Sequence, residues 1–284
     1  MGSTLRVLFL GASTAFSLPA AQALLQSDHE VAGVVLPERI SQLSHPSDNS
    51  TLLPVLPFCT NDTIINVTRR QNVPLWFFED VPKNITADVI IVACFPSRLP
   101  ENFLRRATLA ALNVHPSWLP EYRGPAPLFW QLRHGVRNPG VTVHHMTDRI
   151  DAGDIVVQKR VPLPEGSSGP EADRLLSVAG ANMLLDVLSR ADFRSRPQLG
   201  TASYQSWPAE EDWCVPTDWL VQRAFNFMRG TADWRHPFKL LTHPQPLVVQ
   251  DVTDYALQPS QPGSVQLMRQ GWRVGFADGW LMVR

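Results

Sequence analysis

The sequence predicts a mostly parallel, Rossmann-like α/β sheet in a large first domain, followed by a small β-rich domain. Three observations carry that prediction: strand-length apolar runs alternate with helical patterns from Leu5 onward, a run at 87–95 is apolar but for Asp88, and the texture changes after Arg190. A chain of 284 residues has room for both domains and for a core without covalent staples. With 44% hydrophobic and 18% charged residues, neither disorder nor a membrane is needed to explain the composition. The net charge of -1 supplies no global basic field, although a local patch is compatible with it.

The opening reads as strand 6–11, helix 18–25 and strand 31–36, a βαβ unit. Its first apolar run, 7–10, is too short for a secretory signal and breaks at Gly11-Ala12-Ser13-Thr14, as a strand entering a tight loop does. Residues 37–60 lose periodicity among Pro, Ser and Asn and read as an insertion loop, either mobile or lying over a site. A helix at 63–70 and a short strand at 74–77 follow. The run 87–95 is apolar on both faces, which suits a central strand. Pro100 opens a short helix to 106, and the strand at 111–114 delivers His115 into a Pro-rich loop. Ligands of open parallel sheets bind beyond the carboxyl ends of strands, so that loop is well placed. A helix at 125–134, strands at 141–146 and 155–161, and an amphipathic helix at 170–188 complete a first domain of residues 1–195. The second domain, 201–284, holds six of the nine tryptophans, a helix at 217–228 and three hairpin strands at 263–268, 272–276 and 280–283. Its tryptophans read as the core of a small domain in preference to a stacking platform.

Asn113, His115 and Asp151 together supply what acyl transfer to an amine requires: an amide donor for the carbonyl oxygen, an imidazole for protons, and a carboxylate to orient the imidazole. Each alone has a structural reading, as turn former, loop residue or turn cap. Their joint occurrence at these spacings favours catalysis. His144 and His145 alternate faces of one strand, so at most one points to the site, and a structural role is favoured for both. Arg123 has two open roles, meeting an anion or bracing its loop. Cys59, Cys94 and Cys214 lack metal-ligand spacing and suit a reducing cytosol. Four Asn-x-Ser/Thr triplets match the glycosylation pattern by letter only.

Three ordered blocks, Leu112-Asn113-Val114-His115-Pro116-Ser117-Trp118-Leu119-Pro120-Glu121-Tyr122-Arg123-Gly124, Gly140-Val141-Thr142-Val143 and Ile150-Asp151-Ala152-Gly153-Asp154-Ile155, resemble the folate-dependent formyltransferase family. That family includes enzymes acting on methionyl-tRNA, glycinamide ribonucleotide and amino sugars. Likeness in the first strand and at 99–104 is weaker, and the second domain is similar only in layout to a small appended β-barrel-like (OB-like) domain. The resemblance implies a cytoplasmic enzyme with 10-formyltetrahydrofolate as formyl donor, no metal, and Asn113, His115 and Asp151 as catalytic residues. In the mechanism it implies, Asn113 and a protonated His115 hold the oxyanion, while Asp151 raises the imidazole pKa and removes the amine proton. It further implies folate contacts from Ser117, Trp118, Leu119 and Pro120, from Phe95, Ser97 and Leu99, and from a loop at 148–150 that begins with Asp148. For Phe95 and Leu99, core packing is an equally open reading.

The acceptor is read from departures. Methionyl-tRNA enzymes of the family carry a basic insertion after the second strand; here 37–60 has one Arg, one Glu, one Asp and no Lys. From 201 onward eight acidic residues face seven basic ones. Little is available to neutralise phosphates, so a small-molecule amine such as an amino-sugar nucleotide is the expected acceptor. A divergent methionyl-tRNA formyltransferase is the alternative. A folate-binding module without turnover is a third, disfavoured by the complete Asn/His/Asp set. Glycinamide ribonucleotide is disfavoured because that branch usually lacks a second domain.

Overall fold

The computed structural model describes residues 4–37 and 62–284. Nearly all of the insertion expected at 37–60, with Cys59, lies outside them. The chain divides into two compact units, Met1–Pro125 with Pro139–Val161 and Asp173–Tyr204, and Ala126–Asn138 with Pro162–Ala172 and Gln205–Arg284.

The first unit is built on a seven-stranded sheet. Its strands are β1 (Arg6–Gly11), β2 (Glu30–Leu36), β3 (Leu75–Phe77), β4 (Ala87–Ala93), β5 (Ala107–His115), β6 (Gly140–His145) and β7 (Ile155–Arg160), in the order β3-β2-β1-β4-β5-β6-β7. β4 is central because Val89, Ile90 and Ile91 bury completely between β1 and β5. Each such side chain contributes about 1.5–3 kcal/mol by leaving water, which makes the apolar run at 87–93 the natural middle of the sheet. The first five strands are parallel, whereas β6 runs antiparallel to β5 and β7 antiparallel to β6. Helices α1 (Ser17–Leu25), α2 (Ile64–Arg70) and α3 (Glu101–Leu104) connect the parallel strands. Thr63 caps α2 by accepting the Asn66 N–H at 3.1 Å, satisfying a donor the helix leaves unpaired.

Reversal at β6 positions the chemistry. The register pairs Asn113 with His144 and His115 with Thr142. Residues two apart on a strand share a face, and directly opposite residues share it across the ladder, so Asn113, His115, His144 and Thr142 all project to one side.

In the second unit α4 (Pro127–Arg133) and α6 (Val221–Thr231) belong with two sheets. β8 (Cys214–Pro216), β9 (Phe238–Leu241) and β10 (Leu247–Val249) form one; β11 (Val252–Ala256), β12 (Val265–Met268), β13 (Gly271–Gly275) and β14 (Trp280–Val283) form an antiparallel second, ordered β11-β14-β13-β12. Trp213 is 4% exposed and packs on Phe129, Phe227 and Phe238, so it belongs to the core. Trp219 instead carries the Arg223 guanidinium 3.7 Å from its ring, and Trp272 is 37% exposed. Helix α5 (Gly169–Arg190) starts in the second unit and runs mostly through the first. Among the described residues no helix is long and apolar enough to cross a membrane.

Candidate active site

β5 ends on Asn113 and His115, and the turn after β6 brings Asp151 to them. Asp151 adopts φ +50°, a left-handed conformation that costs a side-chain-bearing residue about 1–2 kcal/mol. The turn lies against β6 because residue 153 is glycine: a Cβ there would sit 1.9 Å from the His145 carbonyl oxygen. With 10% of its side chain exposed, the Asp151 carboxylate accepts the Gly124 N–H at 2.9 Å on Oδ2 and the Asn113 amide at 3.3 Å on Oδ1. Burial pushes this carboxyl up. The facing His115, then His144 and the Gly124 N–H, outweigh it and hold Asp151 well below the usual carboxylate range.

His115 is buried, with Nε2 2.9 Å from the Tyr122 carbonyl oxygen. A carbonyl only accepts, so Nε2 carries the hydrogen. Nδ1 faces Asp151 Oδ2 at 3.6 Å. Desolvation lowers the His115 pKa from its ordinary value, against the upward pulls of Asp151 and the Tyr122 carbonyl. Asp151 thus pulls the His115 pKa up, in the direction the resemblance implies, while burial pulls it down by more.

A structural role is the expectation for His144, and the register of β6 turns it toward the site opposite Asn113. Its Nδ1 lies 2.8 Å from the His145 carbonyl oxygen and must donate, which leaves Nε2 3.2 Å from the Asn113 amide nitrogen and 3.6 Å from Asp151 Oδ1. This arrangement dictates which way the Asn113 amide faces, with its NH2 into the site. Both amide contacts, at 3.2 and 3.3 Å, are at or beyond the long end of the hydrogen-bond range, so an incoming carbonyl oxygen can replace one of them. Only the antiparallel register of β6 distinguishes His144 from His145, whose Nε2 pairs instead with the Phe193 carbonyl at 2.8 Å.

The Pro-rich loop is held from within. Ser117 is fully buried and donates to the Glu121 carbonyl at 2.7 Å; Leu119 is 1% exposed, its N–H on Thr142 Oγ1. Pro120 is buried as well, and Trp118 lies under the Arg160 guanidinium at 4.3 Å. Ser117, Leu119 and Pro120 therefore support the His115 loop from within. Leu99 belongs to a hydrophobic cluster with Ile90, Val92 and Phe103, the packing alternative left open for it. Phe95, partly buried, stacks edge-on to Phe78 at 5.7 Å. Ser97 and Asp148 are exposed, and Arg98 donates to the Asp148 carbonyl, joining the loop after β4 to the loop before Asp151. Arg123 braces its loop, its guanidinium Nη2 2.7 Å from Gln198 Oε1.

Residues 6–188 match the family described as Formyl transferase. The methionyl-tRNA formyltransferase of Syntrophus aciditrophicus is 29% identical over 286 residues, covering 98% of this chain and 89% of that protein. Among solved structures, an N-formyltransferase from Helicobacter canadensis, in complex with folinic acid and dTDP-3-aminofucose, superposes with a TM-score of 0.68 at 12% identity over 97% of each chain. Methionyl-tRNA formyltransferase from Clostridium thermocellum does so with a TM-score of 0.54 at 13% identity, covering 99% of this chain and all of the other.

Proposed function

This chain belongs to the formyl transferase family, and from that premise we propose that it moves the formyl group of 10-formyltetrahydrofolate onto a primary amine, with Asn113, His115 and Asp151 as its catalytic residues. The observation that carries the reading is the enclosed contact of a carboxylate, an imidazole and an amide whose NH2 is loosely held. The amine nitrogen attacks the formyl carbon, and the tetrahedral oxygen takes negative charge. Asn113 gives up one of its long hydrogen bonds to donate to that oxygen. The amine proton passes to Asp151, with the bare His115 Nδ1 beside it, and is returned to the folate nitrogen as the carbon–nitrogen bond to the donor breaks. Phe95, Ser97 and Asp148 are the residues we assign to the folate, with Trp118 at the edge of the supporting loop. Their mixture of one ring, a hydroxyl and loop backbone fits a flat, hydrogen-bonding ligand.

For the acceptor, colinearity with a methionyl-tRNA formyltransferase over 98% of the chain, second unit included, supports the amino group of methionine charged on tRNA. This goes against the small-molecule expectation drawn from charge. A sugar-nucleotide amine is the second reading, favoured by the balance of eight acidic and seven basic residues from 201 onward. An assay with 10-formyltetrahydrofolate against methionyl initiator tRNA and a dTDP-amino sugar separates them. Formylated methionyl-tRNA is expected. Binding of the tRNA should weaken as salt rises, because phosphate contacts are exchanged for counterions, and a salt-insensitive or absent interaction would remove this reading. Formylation of the sugar alone would hand the acceptor to the second reading, and Asp151→Asn with undiminished turnover would remove the catalytic assignment itself.

A further inference from the structure

We propose that residues 196–204 form a positioning strap for the formyl-transfer site, in which Gln198 and Ser203 hold the two left-handed residues on which the site is mounted. The proposal rests on the reading of Asn113, His115 and Asp151 as catalytic. Those two residues are Asp151, φ +50°, and Tyr122, φ +58°, whose carbonyl receives the His115 N–H. Such conformations cost side-chain-bearing residues on the order of 1–3 kcal/mol and persist only where the surroundings over-determine them.

One short stretch of chain does so at both places. Gln198 donates from Nε2 to the Asp151 carbonyl at 2.8 Å and to the Gly153 carbonyl at 2.7 Å, while its Oε1 accepts from the Arg123 guanidinium. The four hydrogen bonds of its amide therefore tie the Asp151 turn to the loop that follows His115. Ser203 Oγ accepts the Tyr122 N–H at 2.8 Å, and the Ser203 carbonyl accepts the Arg123 N–H at 3.0 Å. Arg196 anchors the start of the strap by exchanging backbone hydrogen bonds with Ile155 at 2.8 and 2.9 Å. A stretch with no helix and mostly exposed residues thus makes directed bonds to backbone on either side of the catalytic groups. Gln198 and Ser203 touch no reacting atom. They act through the direction in which the Asp151 carboxylate and the Tyr122 carbonyl point.

Gln198→Glu tests this, because it keeps an oxygen for Arg123 while removing both donors to the Asp151 turn; Ser203→Ala removes only the Tyr122 acceptor. Formylation kinetics for both, beside wild type and Asp151→Asn, should show kcat down by about 10- to 100-fold with KM for donor and acceptor little changed. In the full chain without substrate, carbon-13 NMR of the Asp151 carboxyl should show its titration moving up toward the ordinary carboxylate range in Gln198→Glu. Nitrogen-15 NMR should show His115 changing from one tautomer to a mixture in Ser203→Ala. Wild-type kcat, Asp151 titration and His115 tautomer in these variants, with Asp151→Asn inactive, would overturn the strap and leave the catalytic reading standing. Full activity in Asp151→Asn would overturn both. If Gln198→Glu fails to fold, Ser203→Ala decides alone through kcat and the His115 tautomer.

Discussion

At the scale of single residues, the site depends on which hydrogen each nitrogen carries. His115 donates to Tyr122 and His144 donates to His145, and these two backbone bonds leave the other ring nitrogen of each facing the Asp151 carboxylate. A neutral His115 can share the proton leaving the amine, whereas a protonated one cannot accept it. The kcat should accordingly stay level down through about pH 6.5, the ordinary histidine value, and fall only in more acidic solution, where the lowered His115 pKa is crossed. A turnover that rises on acidification would remove the proton-accepting role. Asn113 and His115 were legible from their motif, and Asp151 from the block that follows. His144 was not, because alternation along a strand says that only one of two neighbours faces the site and not which one.

At the scale of elements, close packing of β6 against its flanking loops sets the tolerance of the site. Gly153 lies where a Cβ would meet the His145 carbonyl oxygen, which is backbone and cannot swing aside. Gly153→Ala should therefore destabilise the protein by about 1–3 kcal/mol, read as a lower urea midpoint. Turnover should suffer more than stability does, since the displaced turn carries Asp151. An alanine variant with unchanged midpoint and kcat would show that the turn adjusts freely. Gly140 has a similar role for the His115 loop, where a Cβ would come within 2.7 Å of the Trp118 backbone. Thr142 completes that support, donating to the Ser117 carbonyl at 2.7 Å and accepting the Gln158 amide at 3.0 Å. These internal bonds fix the Ser117 to Pro120 stretch beside His115.

At the scale of the whole molecule, three titrating groups give stability a pH dependence of opposing signs. His115 is held below its ordinary value, so the unfolded chain binds the extra proton and stability is lost as pH falls below about 6.5. Asp151 behaves likewise below its ordinary carboxylate range. Asp233 has the opposite sign: burial raises its carboxyl to about 6, and its Oδ1 has no hydrogen-bond partner. The folded chain then binds the extra proton, and stability declines as pH rises from about 4 toward 6. Asp233→Asn should raise the stability of the second unit at pH 7 by about 1–2 kcal/mol, discounted for its partial exposure, and leave it unchanged at pH 4. Equal urea midpoints for variant and wild type at pH 7 would refute the assignment.

Sequence by itself determined the parallel core of the sheet, the β-rich second unit, and the motif residues of a formyl transferase. Each of these is written in local patterns: apolar runs at 7–10 and 87–93, hairpin punctuation near Gly263 and Gly279, and blocks read by order and spacing. Tertiary structure alone decided the antiparallel turn of β6, the burial that lowers the His115 pKa, the arrival of His144 beside Asn113, and the anchorage of Asp151 and Tyr122 by residues far along the chain. Strand direction, desolvation and hydrogen bonds between distant segments arise only when the chain is packed, so no run of neighbouring residues records them. The amide, imidazole and carboxylate were therefore visible in the sequence, while the geometry that aims them was not.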